Sequence, residues 1–96
     1  MIKIVAKMLV KADKVEAFKA TAKELVEKSR AEAGNVFYSL NVSTSNPQLL
    51  AFIECWKDQE AIDLHNATEH FTSILPKLGE YCEEGQPVEL FTEVEY

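Results

Sequence analysis

An α+β fold with the element order β-α-β-β-α-β is what this sequence predicts, and three observations carry the prediction. Apolar residues alternate with period two near both ends of the 96-residue chain. The period changes to a three–four spacing after Asp13 and again after Asp58. Two runs rich in β-branched and aromatic residues in the middle are parted only by a turn.

In chain order, Ile2, Ile4, Ala6, Met8 and Val10 form one face of a first strand. Lys3, Lys7 and Lys11, with Val5 and Leu9 between them, form the other. Asp13-Lys14-Val15-Glu16 has the form of a capping box, an N-cap acid with a glutamate three positions on. From there Val15, Phe18, Ala22, Leu25, Val26 and Ser29 repeat along one helix face, and the opposite face is charged. This helix is expected to end near Ala33, with Gly34 placed as a left-handed C-cap. Val36 to Ser43 reads as a second strand, Thr44 to Gln48 as a turn, and Leu49 to Trp56 as a third strand, so the two strands make a hairpin. The third is apolar on both faces, as in a strand covered on both sides. Asp58 caps a short helix from Gln59 to about Asn66. Thr68 caps another, whose stripe is Phe71, Ile74, Leu75 and Leu78, and Pro76 inside it predicts a kink or a break. Gly85 and Pro87 punctuate the approach to a last strand over Val88 to Tyr96.

That order is the ferredoxin-like one: a four-stranded antiparallel sheet whose first and last strands are neighbours. Lys3, Lys7 and Lys11 on one strand and Glu89, Glu93 and Glu95 on the other would then oppose each other and help to set the register. Residues 1–96 read as one domain without repeat or linker.

Composition removes several functions. With 16 Asp+Glu against 10 Lys+Arg and a net charge of -6, the chain is a poor nucleic-acid binder. No apolar run reaches the roughly 18–20 residues of a membrane span, and the alternating N-terminus lacks the continuous apolar core of a signal peptide. The expectation is a cytoplasmic protein in which Cys55 and Cys82 are free thiols. Phosphate-binding glycine loops, metal-binding cysteine pairs and nucleophile-elbow motifs are all missing. His65 and His70 are five apart, which on one continuous helix sets them roughly 140° apart. A metal pair wants a spacing of three or four, so no metal site is expected.

The informative stretch runs from Ile53 to Phe71. Glu54 and Trp56 sit at a strand end, followed by the acid cap Asp58, the step Glu60-Ala61-Ile62, then His65, and then Thr68-Glu69-His70-Phe71. Upstream, Glu32-Ala33-Gly34 precedes Tyr38 at the entry to the second strand. With these residues the chain resembles the antibiotic biosynthesis monooxygenase family, the quinol-monooxygenase-like dimeric α/β barrels, over essentially its whole length. The resemblance implies a homodimer and a cofactor-independent monooxygenase acting on a quinol-like or phenolic molecule. The family also includes haem-degrading proteins and an isomerase of a small phosphorylated dione. That isomerase and a non-catalytic dimeric module holding a hydrophobic small molecule are the alternative readings. Having Arg30 as its one arginine argues against a phosphorylated substrate.

His65 shares a helix face with Ala61 and Ile62. It is either a core histidine bonded to a backbone carbonyl or carboxylate, or a cavity base that deprotonates a phenol or enol. His70, at the edge of the apolar stripe, reads as a capping or packing residue. Trp56 is a candidate platform for a planar substrate. Tyr38 and Asn41 are candidate polar points of the pocket, and Phe71 a candidate apolar wall. Glu54, in an otherwise apolar strand, needs a partner: either a lysine of the first strand or the pocket itself. Val5, Leu9 and Phe91 make the outer sheet face apolar as well, which predicts a second copy packed sheet to sheet.

Overall fold

The computed structural model describes all 96 residues. Four strands, β1 (Ile2–Val10), β2 (Asn35–Val42), β3 (Leu49–Trp56) and β4 (Cys82–Phe91), form one antiparallel sheet in the order β2-β3-β1-β4. Three helices, α1 (Val15–Arg30), α2 (Gln59–Asn66) and α3 (Glu69–Glu80), complete the α+β ferredoxin-like fold. The register β1 to β3 runs without interruption from Ile2↔Trp56 to Leu9↔Leu49. Even-numbered residues of β1, β2 and β3 therefore share one face, and Ile4, Val10, Tyr38, Leu50, Phe52 and Trp56 bury there against Phe18, Ala22 and Leu25 of α1 and Ile74 and Leu78 of α3. No helix covers the other face, where Phe37, Ile53 and Phe91 stand exposed.

Local details differ from the sequence expectations. Asp13 does not cap α1. Residues Ala12–Lys14 form a 3-10 turn, closed by the Lys14 N–H on the Lys11 carbonyl, so the chain is already coiling when α1 begins at Val15. The helix stops at Arg30 with Ala31 as its C-cap, and Gly34 is not left-handed; no residue in the chain has a positive φ. Glycine is required at 34 by proximity instead. A Cβ there would run into Ala61 of α2, while the Gly34 carbonyl accepts from the Lys57 N–H at 2.9 Å.

The helix α3 runs unbroken through Pro76. Proline removes one backbone bond, the one to the carbonyl of Thr72, and Thr72 is exposed to water. Ile74 and Leu78, buried on either side of the proline, hold the turn together. The last strand begins six residues earlier than expected and ends at Phe91, because Gly85 and Pro87 do not interrupt it. Between Ala6↔Val88 and Met8↔Gly85 the register slips, so Gln86 and Pro87 together oppose Lys7 in a bulge. β4 is an edge strand, where a residue without an N–H is tolerated. The slip also breaks the expected charge ladder. Only Lys3 meets a glutamate, Glu93 at 3.3 Å, beyond the end of β4, while Glu89 opposes Val5 and neither Lys7 nor Lys11 forms an ion pair. As a solvent-exposed pair, Lys3–Glu93 contributes little.

Candidate functional site

Caps on the two short helices create the site. The Asp58 carboxylate accepts from the Ala61 N–H at 2.8 Å and fixes the first turn of α2, whose buried face is Ala61, Ile62 and His65. Thr68 then does two things. Its hydroxyl donates to the His65 carbonyl at 2.7 Å, ending α2, and accepts from the Phe71 N–H at 3.3 Å, starting α3. The chain turns at that junction, and His70 in the first turn of α3 comes back beside His65, ring centres 6.1 Å apart. The angle that separates residues five apart on one helix does not apply, because these two lie on different helices.

Glu32, in the turn that follows α1, receives both rings. Its Oε2 lies 2.7 Å from His65 Nδ1 and 2.8 Å from His70 Nε2. A carboxylate has no hydrogen to give, so each imidazole nitrogen facing it carries the proton. His65 is thereby held as the tautomer protonated at Nδ1, with a lone pair on Nε2. That Nε2 is buried and has no hydrogen-bond partner. Burial, which disfavours the charged ring, holds the His65 pKa below the ordinary imidazole value, although the Glu32 carboxylate pulls the other way. The result is a neutral, oriented base. His70 is a partner of Glu32 rather than a cap.

His65 lines a cavity of about 390 Å³ enclosed by the helix-facing side of the sheet, α2, α3 and β4. Tyr38, Glu54 and Phe71 line it too, and ten of its fourteen lining residues are hydrophobic, which suits an apolar planar guest. Gln59 and Asn66 add two amides that the sequence reading did not single out. Two of the expected pocket residues lie elsewhere. Asn41 projects from the opposite sheet face, where its amide donates to the Ala51 carbonyl at 3.3 Å. It is three residues from Tyr38, an odd number, and side chains along a strand alternate. Trp56 is fully buried behind the cavity wall, its ring 4.4 Å from that of His65, so it backs the histidine instead of lining the space.

The Trp56 indole N–H donates to Glu54 Oε1 at 2.9 Å. This replaces the lysine partner expected from β1. Glu54 pairs across with Ile4 on the helix-facing side, whereas Lys3 and Lys7 point to the other face. Burial raises the Glu54 pKa to about 7, with the nearby Glu32 charge adding to the effect and the Trp56 hydrogen bond opposing it. Tyr38 is pushed well above the ordinary phenol range by burial first and then by the Glu54 charge, so it stays a hydrogen-bond donor.

The raised value makes a prediction. Folded Glu54 keeps its proton up to about pH 7 and the unfolded carboxyl only to 4.5. Its contribution to stability is therefore fully present below pH 4.5 and is lost as the pH rises through 7. In denaturant unfolding across that range, wild type should lose about 3 kcal/mol relative to Glu54→Gln. Curves that stay parallel would contradict the assignment. The opposite trend from His65, whose contribution is lost as pH falls, is common to both proteins and cancels.

Comparison with known proteins agrees with this geometry. The family model described as "Antibiotic biosynthesis monooxygenase" matches residues 1–77. Over 77 residues the chain is 39% identical to YcnE of Bacillus subtilis (strain 168), whose name proposes a monooxygenase; the match covers 80% of this chain and 81% of YcnE. A crystal structure of an antibiotic biosynthesis monooxygenase superposes with a TM-score of 0.94 at 35% identity, covering 99% of this chain and all of that one. A conserved protein from Methanosarcina mazei Go1 superposes equally well, TM-score 0.94 at 32% identity, over 97% of this chain and 92% of its own. The family match, the relative and the superpositions point the same way as the fold and the cavity: this chain belongs to the antibiotic biosynthesis monooxygenase family.

Proposed function

We propose that the protein is a monooxygenase of an electron-rich hydroquinone, phenol or enol, with His65 as the base. The observation that carries this reading is the unpartnered Nε2 of a histidine locked by Glu32 at the wall of an apolar cavity. His65 Nε2 takes the hydroxyl proton. The resulting anion is electron-rich enough to reduce dioxygen itself. Its ring carbon, one that carries a hydrogen, bonds one oxygen, and the peroxide anion takes back the proton from His65. The hydroperoxide then breaks its O–O bond and that C–H bond, losing water to leave a carbonyl. All four electrons come from the substrate, so the balance needs no external reductant. Tyr38 and Glu54 supply donors for the substrate oxygens, Phe71 packs on the ring, and Trp56 holds Glu54 and His65 in place. A water-poor cavity keeps the anion reactive, and a donor aimed at developing charge acts most strongly there.

Among the fourteen residues lining the cavity there is no lysine or arginine. A phosphorylated dione would need such a cation, which disfavours the isomerase reading.

The functional unit is proposed to be a dimer in which a second copy packs on the outer sheet face. Phe37, Ile53 and Phe91 are exposed there, beside Val5 and Leu9. Burial of such a patch is a large favourable term at about 25 cal/mol per Å² of apolar surface. Light scattering at micromolar concentration should give twice the chain mass; a mass of one chain would contradict the dimer.

For the chemistry, oxygen consumption is followed with a panel of hydroquinones and anthrone-like enols. The active substrate should lose about 10²–10⁴-fold in rate with His65→Ala, the contribution of a general base. Oxygen uptake by no member of the panel would reduce the site to a binding cavity. Equal rates in the variant would remove His65 from the mechanism.

A further inference from the structure

We infer that the cluster of Glu32, His65 and His70 is a site for one late first-row divalent cation of the Zn²⁺ or Co²⁺ kind, held by Glu32 Oε2, His65 Nδ1 and His70 Nε2. The three donor atoms lie within 4.8 Å of one another and come from three separate elements: the turn after α1, α2 and α3. Two imidazoles and a carboxylate are a donor set that suits such ions and leaves a fourth position for water. In a tetrahedral site with bonds of about 2.0–2.1 Å the donors stand roughly 3.3 Å apart. The two separations across Glu32 are 2.7 and 2.8 Å and would open by about half an ångström, while the His65–His70 nitrogens, within 4.8 Å of each other, would close toward the same spacing.

Access is provided on the side away from the cavity. The His65 side chain is 2% exposed, but Glu32 and His70 are 15% and 14% exposed. Glu32 also lines a separate open depression of about 330 Å³ that contains Asp58 and Glu60, with Lys57 as its one cation. Carboxylates in such a mouth, on a chain of net charge -6, draw cations in.

Neither Glu32 nor His70 lines the cavity, so the ion would sit behind His65 and touch no substrate. Its effect would pass through the ring. A metal on Nδ1 forces the proton of the neutral imidazole onto Nε2, which turns that buried nitrogen from an acceptor into a donor. This consequence for activity rests on His65 being the base; the binding site itself does not.

The test is a titration of the tag-free chain with Co²⁺, read by the visible absorption of imidazole-ligated four-coordinate cobalt and by its displacement with Zn²⁺. The chain has only two histidines, so the spectrum reports on this cluster alone. One Co²⁺ should bind per chain. His70→Gln and Glu32→Gln should each weaken binding at least about tenfold, and Cys82→Ser should leave it unchanged. Zn²⁺ should raise the Tm of wild type and not of His70→Gln, a partly exposed position at which the metal-free fold is expected to persist. Absence of the cobalt spectrum would overturn the site, as would affinity unchanged in His70→Gln or lost in Cys82→Ser. Because each readout is made without substrate, a negative oxygen-consumption assay leaves the outcome intact.

Discussion

A single carboxylate oxygen, Oε2 of Glu32, fixes the chemistry of this site. It is the acceptor for two imidazoles that the chain delivers from different helices, at 2.7 and 2.8 Å. Each bond is made in a partly buried setting, where hydrogen bonds to an ionised acceptor are strong. Together they join the end of α1 to the α2–α3 junction and decide which nitrogen of His65 is basic. The close approach of Gly34 to Ala61, two residues further on, serves the same end. It lets the turn carrying Glu32 come down against α2, and any side chain at 34 would push the carboxylate away.

Around that constraint the cavity divides protic roles between groups with opposite responses to burial. Desolvation lowers the pKa of His65 and raises that of Glu54, so both are neutral over an overlapping range below neutrality. One can then accept a hydrogen bond while the other can donate one. Trp56 links them physically, its ring tilted against that of His65 and its indole N–H donating to Glu54. An apolar cavity holding one oriented acceptor and one or two donors can bind a hydroxylated aromatic by both edges. The shared apolar surplus of the sheet belongs to a different task, since its exposed residues lie on the face away from the cavity.

Much of this was legible in the residues. Period-two alternation placed β1, an apolar run after a turn placed β3, the caps Asp58 and Thr68 placed α2 and α3, and the shared face of Ala61, Ile62 and His65 put the histidine inside. Asn41 was misplaced although the same alternation, counted from Tyr38, puts it outside. The β4 boundaries were hidden because Gly85 and Pro87 look like punctuation until the edge position and the bulge opposite Lys7 are known. Glu32 was visible only as part of a motif. Nothing local says that a glutamate after one helix will meet histidines 33 and 38 residues away, because that contact is made by the tertiary path of the chain. Trp56 was expected to line the pocket and instead backs His65 and Glu54, which do line it.

The tautomer of His65 is the point on which its proposed role as a base turns. Long-range proton–nitrogen NMR of the ¹⁵N-labelled chain at neutral pH distinguishes a protonated from an unprotonated ring nitrogen directly. The account predicts His65 with its proton on Nδ1 and a bare Nε2, reverting toward a tautomeric mixture in Glu32→Gln. A proton on Nε2 in the metal-free wild type, or a fully charged imidazolium, would contradict it.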